Sequence, residues 1–304
     1  MFGKTFTRPL TQATIKGSSF YEFVEFIKTP KEMRPYIYRP KNADKLLAMD
    51  LKDSDNKPLQ SRPPIKKPSR AAFNNLLFQM QSPGELTGLL QEWVDITPRK
   101  KVLWAYFHSE HLQNMLIVST FKLGMYGKLL QKIYELQPNF KQANNGHIYN
   151  ANNWLTTNLM CRLQINGAKN FKNKFLVKKK VVTLLESTAN KHETNGLAKE
   201  LLMCINKQQD TDISIPTELD KPVNLPSIDV EKSTFGVLAK YITAHRNLYL
   251  EARTALEFGS DNDSVKLFVN NYQTILNKLK RPGDIYDESV ASLKQLIKPL
   301  EKTK

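Results

Sequence analysis

Half of the sixteen prolines fall within the first 72 residues, at Pro9, Pro30, Pro35, Pro40, Pro58, Pro63, Pro64 and Pro68. Each removes a backbone donor and biases its predecessor toward extended geometry, so helices there are confined to short windows such as Phe20–Lys28 and Ala43–Leu51. The segment reads as an extended basic arm. Phe20, Tyr21, Phe23, Phe26, Tyr36 and Tyr38 are interleaved with Arg34, Arg39 and Lys41, and Arg62, Lys66, Lys67 and Arg70 form a second, proline-stiffened basic patch. Such an arm either lies along RNA or a neighbouring protein and orders there, or is a solvated linker.

From Ala71 onward the apolar residues recur with helical period. Phe73, Leu76, Leu77 and Met80 share one face; Ser82 then caps a helix with Pro83 in its first position and Glu85 reaching back, and Leu86, Leu89, Leu90 and Trp93 follow. Leu112, Met115, Leu116 and Ser119 mark another helix, which Gly124 ends or bends, and Leu129, Leu130, Ile133 and Tyr134 carry the pattern to Pro138. An Asn144–Gly146 turn precedes a helix with Leu155, Leu159 and Leu163 that is expected to end near Asn166-Gly167, and Leu197, Leu201, Cys204 and Ile205 form a shorter one. Residues 208–232, with three prolines and six acids, read as a linker or surface loop. Ser233 is expected to cap one long helix from Phe235 to Leu256, followed by a partner from Val265 to Leu279 and a last helix from Ile285 to Leu300.

The expected fold is therefore all-α: an irregular helical-hairpin repeat, solenoid-like, behind an extended proline-rich basic N-terminal arm. The expected domains are an arm at 1–72, a helical body at 73–207, an acidic linker at 208–232 and a C-terminal hairpin plus one helix at 233–304.

Charge points to the function. The net +16 is regional, with +8 over 1–72, −3 over 73–95, +12 over 96–182 and −1 over 183–304. Leu136 to Leu185 contains no Asp or Glu, and six lysines, Lys169, Lys172, Lys174, Lys178, Lys179 and Lys180, fall within twelve positions around Phe171 and Phe175. Solvated helix faces normally mix signs, because like charges oppose compaction unless a polyanion neutralises them. RNA phosphates are the expected partner, contacted by these lysines with Arg162, by Arg99, Lys100 and Lys101, and by Arg62, Lys66, Lys67 and Arg70 in the arm. The two phenylalanines either stack on an unpaired base or pack inward.

Enzymatic chemistry has no motif to rest on. There is no phosphate-cradling glycine loop and no nucleophile elbow, so no catalytic residue, cofactor or small-molecule substrate is expected. His108 and His111 on adjacent helical turns make only a weak metal pair, since zinc takes three or four protein ligands, and they read as surface or helix-cap histidines, with no metal expected. Cys161 and Cys204 read as core thiols in a reducing compartment. No apolar run of eighteen residues exists to span a membrane. Residues 1–21 carry Lys4, Arg8 and Lys16, six hydroxyls and no acid, the composition of a mitochondrial targeting segment.

The hairpins of residues 72–164, in particular Phe73–Met80 with Pro83–Val94 and Pro98, and Ser119–Glu135 with Pro138, resemble degenerate pentatricopeptide-class repeats over about a third of the chain. The targeting-like start, basic arm, irregular repeats and acid-free lysine patch together resemble fungal mitochondrial ribosomal proteins without bacterial counterparts, small-subunit members above all. That resemblance implies a non-catalytic structural component of a mitochondrial ribosome in the matrix, binding ribosomal RNA and neighbouring ribosomal proteins. The alternatives are a mitochondrial RNA-processing or translation-activating factor of the same fold, and a helical protein adaptor at a membrane surface.

Overall fold

A computed structural model of the chain describes residues 18–52, 57–96, 104, 106–124, 126–143, 152–169, 173–187, 195–281 and 283–297. Among them are fourteen α-helices and no strand, only one isolated antiparallel bridge between Lys52 and Pro58. The all-α expectation is met. The chain divides into two compact units, 1–107 and 108–304, described separately below. The expected boundaries at 72, 207 and 232 do not coincide with this division. Helices of the arm share a core with residues beyond 72, and the stretch read as a linker is packed.

In the first unit, α1 (Ser19–Lys28) begins where Ser18 accepts from the Tyr21 amide at 3.2 Å. Its buried residues Phe20, Phe23, Val24 and Ile27 follow the i, i+3, i+4, i+7 spacing of one helical face. That face meets α4 (Arg70–Gln79) and α5 (Pro83–Ile96). The core is aromatic. The Phe20 ring lies 4.6 Å from Phe73 and stacks on Trp93 at 5.6 Å, and Trp93 meets the edge of Phe107 at 5.0 Å. The aromatics read as part of an arm that orders on a partner therefore build the unit's own interior. The short helices α2 (Arg34–Ile37) and α3 (Ala43–Ala48) carry a smaller cluster of Ile37, Tyr38 and Leu46, against which Leu59 and Ile65 of the proline-rich stretch pack. Arg34 closes the end of α1, donating to the carbonyls of Ile27 at 2.8 Å and Thr29 at 2.9 Å while its guanidinium lies over Phe26. At the start of α5, Ser82 accepts from the Glu85 amide as expected, but the Glu85 carboxylate accepts from the amide of Gln81.

The second unit is built around α8 (Asn152–Lys169), which packs on α6 (Ser109–Val118), α10 (Leu197–Gln209) and α12 (Arg246–Glu257). Every residue from Trp154 to Gln164 is buried, polar ones included. The polar side chains find distant partners. Thr157 donates to Glu251 at 2.8 Å, and the Gln164 amide donates to Thr254 at 3.3 Å and to the Tyr286 hydroxyl. The helix does not end at Asn166-Gly167. Gly167 serves close approach instead, since a Cβ there would lie 3.1 Å from the Phe258 ring.

Helix α6 runs into a π-helical turn, Ser119–Leu123, ended by Gly124 at φ +77°, as its glycine predicted. Helix α7 (Tyr126–Ala143) runs through Pro138 rather than stopping there. Helix α9 (Lys174–Ser187) packs on α7. The long helix expected from Phe235 breaks at His245 into α11 (Phe235–Ala244) and α12, and its N-cap is Thr234. Burial lowers the His245 pKa, and its ring meets Tyr241 edge-on. Asn262 caps α13 (Asp263–Lys278), and α14 (Ile285–Leu296) closes the unit through Tyr286 and Leu293. Cys161 and Cys204 are buried free thiols, as expected, and burial raises the Cys204 pKa to about 11.

Residues 210–234 form a strap, not a linker. Ile213 and Leu219 are buried, and Val223, Leu225, Ile228 and Val230 pack on the main core of the unit. Prolines keep this stretch extended while its spaced apolar residues reach inward. Tyr241 donates to the Pro226 carbonyl and Lys278 to that of Val230, both at 2.7 Å. Gly196 lets the strap approach α10: it sits at φ +74°, and a Cβ would lie 2.6 Å from the Pro222 carbonyl oxygen. Gly196→Ala is therefore expected to lower stability by at least about 2 kcal/mol, combining left-handed strain with a backbone clash. An unchanged midpoint in chemical denaturation would contradict this account of the strap.

Candidate nucleic-acid interface

Helix α9 orients the lysine cluster. Asn173 caps it, accepting from the Leu176 amide at 3.0 Å, and Val177, Val181 and Leu184 form its buried seam. With that seam inward, helical geometry distributes the remaining positions around the outer surface. Lys174 and Lys178, one turn apart, occupy the flank toward the loop that follows α10. There Lys174 pairs with Asp210 at 3.3 Å, and Lys178 donates to Asp212. Phe175, 80% exposed, and Lys179, also exposed, point outward.

Lys180 lies on the opposite flank, toward α8. Its pKa is lowered, first by partial burial and then by the neighbouring positive charges of Arg162 and Lys169. Lys169, at the exposed C-terminal end of α8, is favourably placed against that helix's dipole. Two helices thus bring Lys169, Lys179 and Lys180 to one edge, where positive charges crowd without the carboxylates that neutralise the other flank. A concentration of cations with a measurable mutual penalty is what a phosphate-binding surface requires.

A family model described as the MRP13-like C-terminal domain matches residues 82–304, and one described as the MRP13-like N-terminal domain matches residues 7–79. The chain belongs to the MRP13-like family. Membership supports a mitochondrial ribosomal protein, a structural component of a ribonucleoprotein with a non-enzymatic role. The two family models meet between residues 79 and 82, in the turn joining α4 to α5. The physical division lies later, at 107/108, because both helices pack on α1.

Other expected contacts of this MRP13-like chain divide into three groups. Arg62, Lys66, Lys67 and Arg70 are all exposed on the first unit, with the Lys67 ammonium 5.3 Å from the centre of the Tyr106 ring. Arg99, Lys100, Lys101, Lys172 and Phe171 lie outside the described residues, as do most of the targeting-type segment and the Asn144–Gly146 turn. Arg162 corrects the sequence reading: it is only 7% exposed, because α8 is enclosed on nearly every side, so it acts on Lys180 from within instead of facing a ligand. The aromatic reading resolves for Phe175, which faces solvent.

Sequence reasoning missed Asp210 and Asp212. They lie more than thirty residues from the lysines they pair with. Their alternate spacing on a short loop was the available signal. His111, fully buried, accepts from the His108 backbone amide at 3.1 Å and so helps cap α6. Among the described residues, no three His, Cys, Asp or Glu side chains converge as a metal site, and no helix is long and apolar enough to cross a membrane.

Proposed function

We propose that this chain is a resident, non-catalytic component of the mitochondrial small ribosomal subunit in the matrix. It holds ribosomal RNA through the cationic edge of α8 and α9 and meets neighbouring ribosomal proteins through its N-terminal segment. The observation carrying the RNA contact is the convergence of Lys169, Lys179 and Lys180 on one edge of a packed unit, since folding gathers like charges at a cost that a phosphate backbone offsets. An exposed Phe175 beside them offers a stacking surface for an unpaired base. The helical-hairpin body supplies the rigid support, and its resemblance to pentatricopeptide-class repeats extends to the pairing of short helices.

The test is a sucrose-gradient profile of the tagged protein in gentle mitochondrial lysate, with and without ribonuclease and raised salt. Stoichiometric migration with the small subunit that survives moderate salt and is lost after ribonuclease is expected. Migration with the large subunit would overturn the placement. Slow migration at the top of the gradient, with crosslinks to messenger leaders, would replace residency by a transient RNA-processing or translation-activating role. Salt-sensitive capture by anionic liposomes without RNA would select the adaptor.

A further inference from the structure

The loop after α10 is built more firmly than its surface position requires. Asp210 takes a left-handed conformation at φ +49°, and Asn206 fastens the residues that follow. The Asn206 side-chain oxygen accepts from the Thr211 hydroxyl at 2.8 Å and the Ile213 amide at 3.0 Å, while its amide donates to the Ile213 carbonyl at 2.9 Å. Ile213, buried, anchors the end of the turn. The Asp210 and Asp212 side chains project from this frame at 96% and 87% exposure and meet Lys174 and Lys178, which are themselves about half exposed. Ion pairs so open to water contribute little to folding. The frame is held by Asn206 and Ile213, so the carboxylates are not needed to keep it in place. What they change is the field. They neutralise the α10-facing flank of α9 and leave Lys169, Lys179 and Lys180 as the cationic edge.

We propose that Asp210 and Asp212 are specificity-determining residues of the RNA surface: a fixed acidic rail that turns phosphates away from Lys174 and Lys178 and confines a bound strand to the Lys169–Lys179–Lys180 edge. The inference rests on the RNA-binding reading above and deepens it. Two carboxylates at alternate positions of a rigid loop match two lysines one helical turn apart, occupying the sites that two successive phosphates would otherwise take. Without the rail, α9 would present cations on three sides and bind polyanions in several registers.

The experiment uses the full chain and a single-stranded uridine homopolymer of about 20 nucleotides, titrated over a range of salt concentrations. Asp210→Asn with Asp212→Asn, which preserves side-chain shape, is expected to tighten binding several-fold. It is also expected to steepen the log–log salt dependence by roughly 1.4, about 0.7 for each phosphate newly engaged on a single strand. Adding Lys174→Ala and Lys178→Ala to that double variant is expected to abolish the gain, whereas the same alanines in the unmodified chain change affinity less than about twofold. Unchanged affinity and slope in the Asn variant, while Lys179→Glu with Lys180→Glu still weakens binding, would overturn the rail and leave the RNA surface standing. If the latter pair leaves binding unchanged, the underlying reading is overturned and the rail with it.

Discussion

Reversing Lys169, Lys179 and Lys180 together to Glu is expected to remove the protein from assembled small subunits while leaving its fold intact. All three lie at the surface or half-buried edge, and Val177, Val181 and Leu184, which hold α9 in place, are untouched. Loss of three phosphate contacts is expected to flatten the salt dependence of RNA binding by roughly 2, at about 0.7 per contact on a single strand. Reversed charges would also repel the strand. The measurement is the ratio of particle-bound to free protein on gradients, paired with a far-ultraviolet circular dichroism spectrum and a thermal midpoint. The midpoint is expected to hold or rise, because Lys180 no longer sits against Arg162 as a like charge. Unaltered co-migration of the triple variant would remove this edge from the assembly contact.

The second large effect belongs to the first unit. Trp93 is 1% exposed, stacks on Phe20 and meets Phe107 edge-on, linking α1 and α5 to the segment that closes the unit. Trp93→Ala is expected to cost about 3–5 kcal/mol, a large part of what a unit of this size has to lose. Trp93→Phe keeps an aromatic face and is expected to lose substantially less. Proteolytic cleavage within the proline-rich stretch 57–69 reports the difference, since Leu59 and Ile65 stay packed only while their cluster persists. Equal protease resistance in the wild type and the alanine variant would show that the aromatic cluster does not hold the unit together.

Much of this architecture is legible in the sequence wherever one face of an element is apolar. Phe73, Leu76 and Leu77, and then Leu86, Leu90 and Trp93, announce α4 and α5 because a surface helix buries a single stripe. Helix α8 escapes the same reasoning. Buried on nearly all sides, it carries Thr157, Arg162 and Gln164 inward, and their partners Glu251 and Thr254 stand about ninety residues away for Thr157 and Gln164. Gly167 looks like a terminator until Phe258 is seen against it, and the strap looks like a linker because its prolines speak louder than Ile213, Leu219 and Val223. In the candidate site, the lysines were legible from their local density. The acids that select among them were not, since the pairing of Asp210 with Lys174 is made by tertiary structure alone.

The central position of α8 also governs when the second unit can form. Its polar interior is satisfied from α12 and α14: Thr157 by Glu251 and Gln164 by Thr254 and Tyr286, contacts spanning 94, 90 and 122 residues. Non-local contacts of this length pay their loop-closure entropy before they return anything, so they form late. A chain emerging N-terminus first from a ribosome or a translocation pore must therefore hold the 152–169 segment unfinished until almost its entire length has been delivered. Chaperone dependence during that interval follows from the topology of one helix, and release of the basic edge to RNA becomes a signal that the C-terminal helices have arrived.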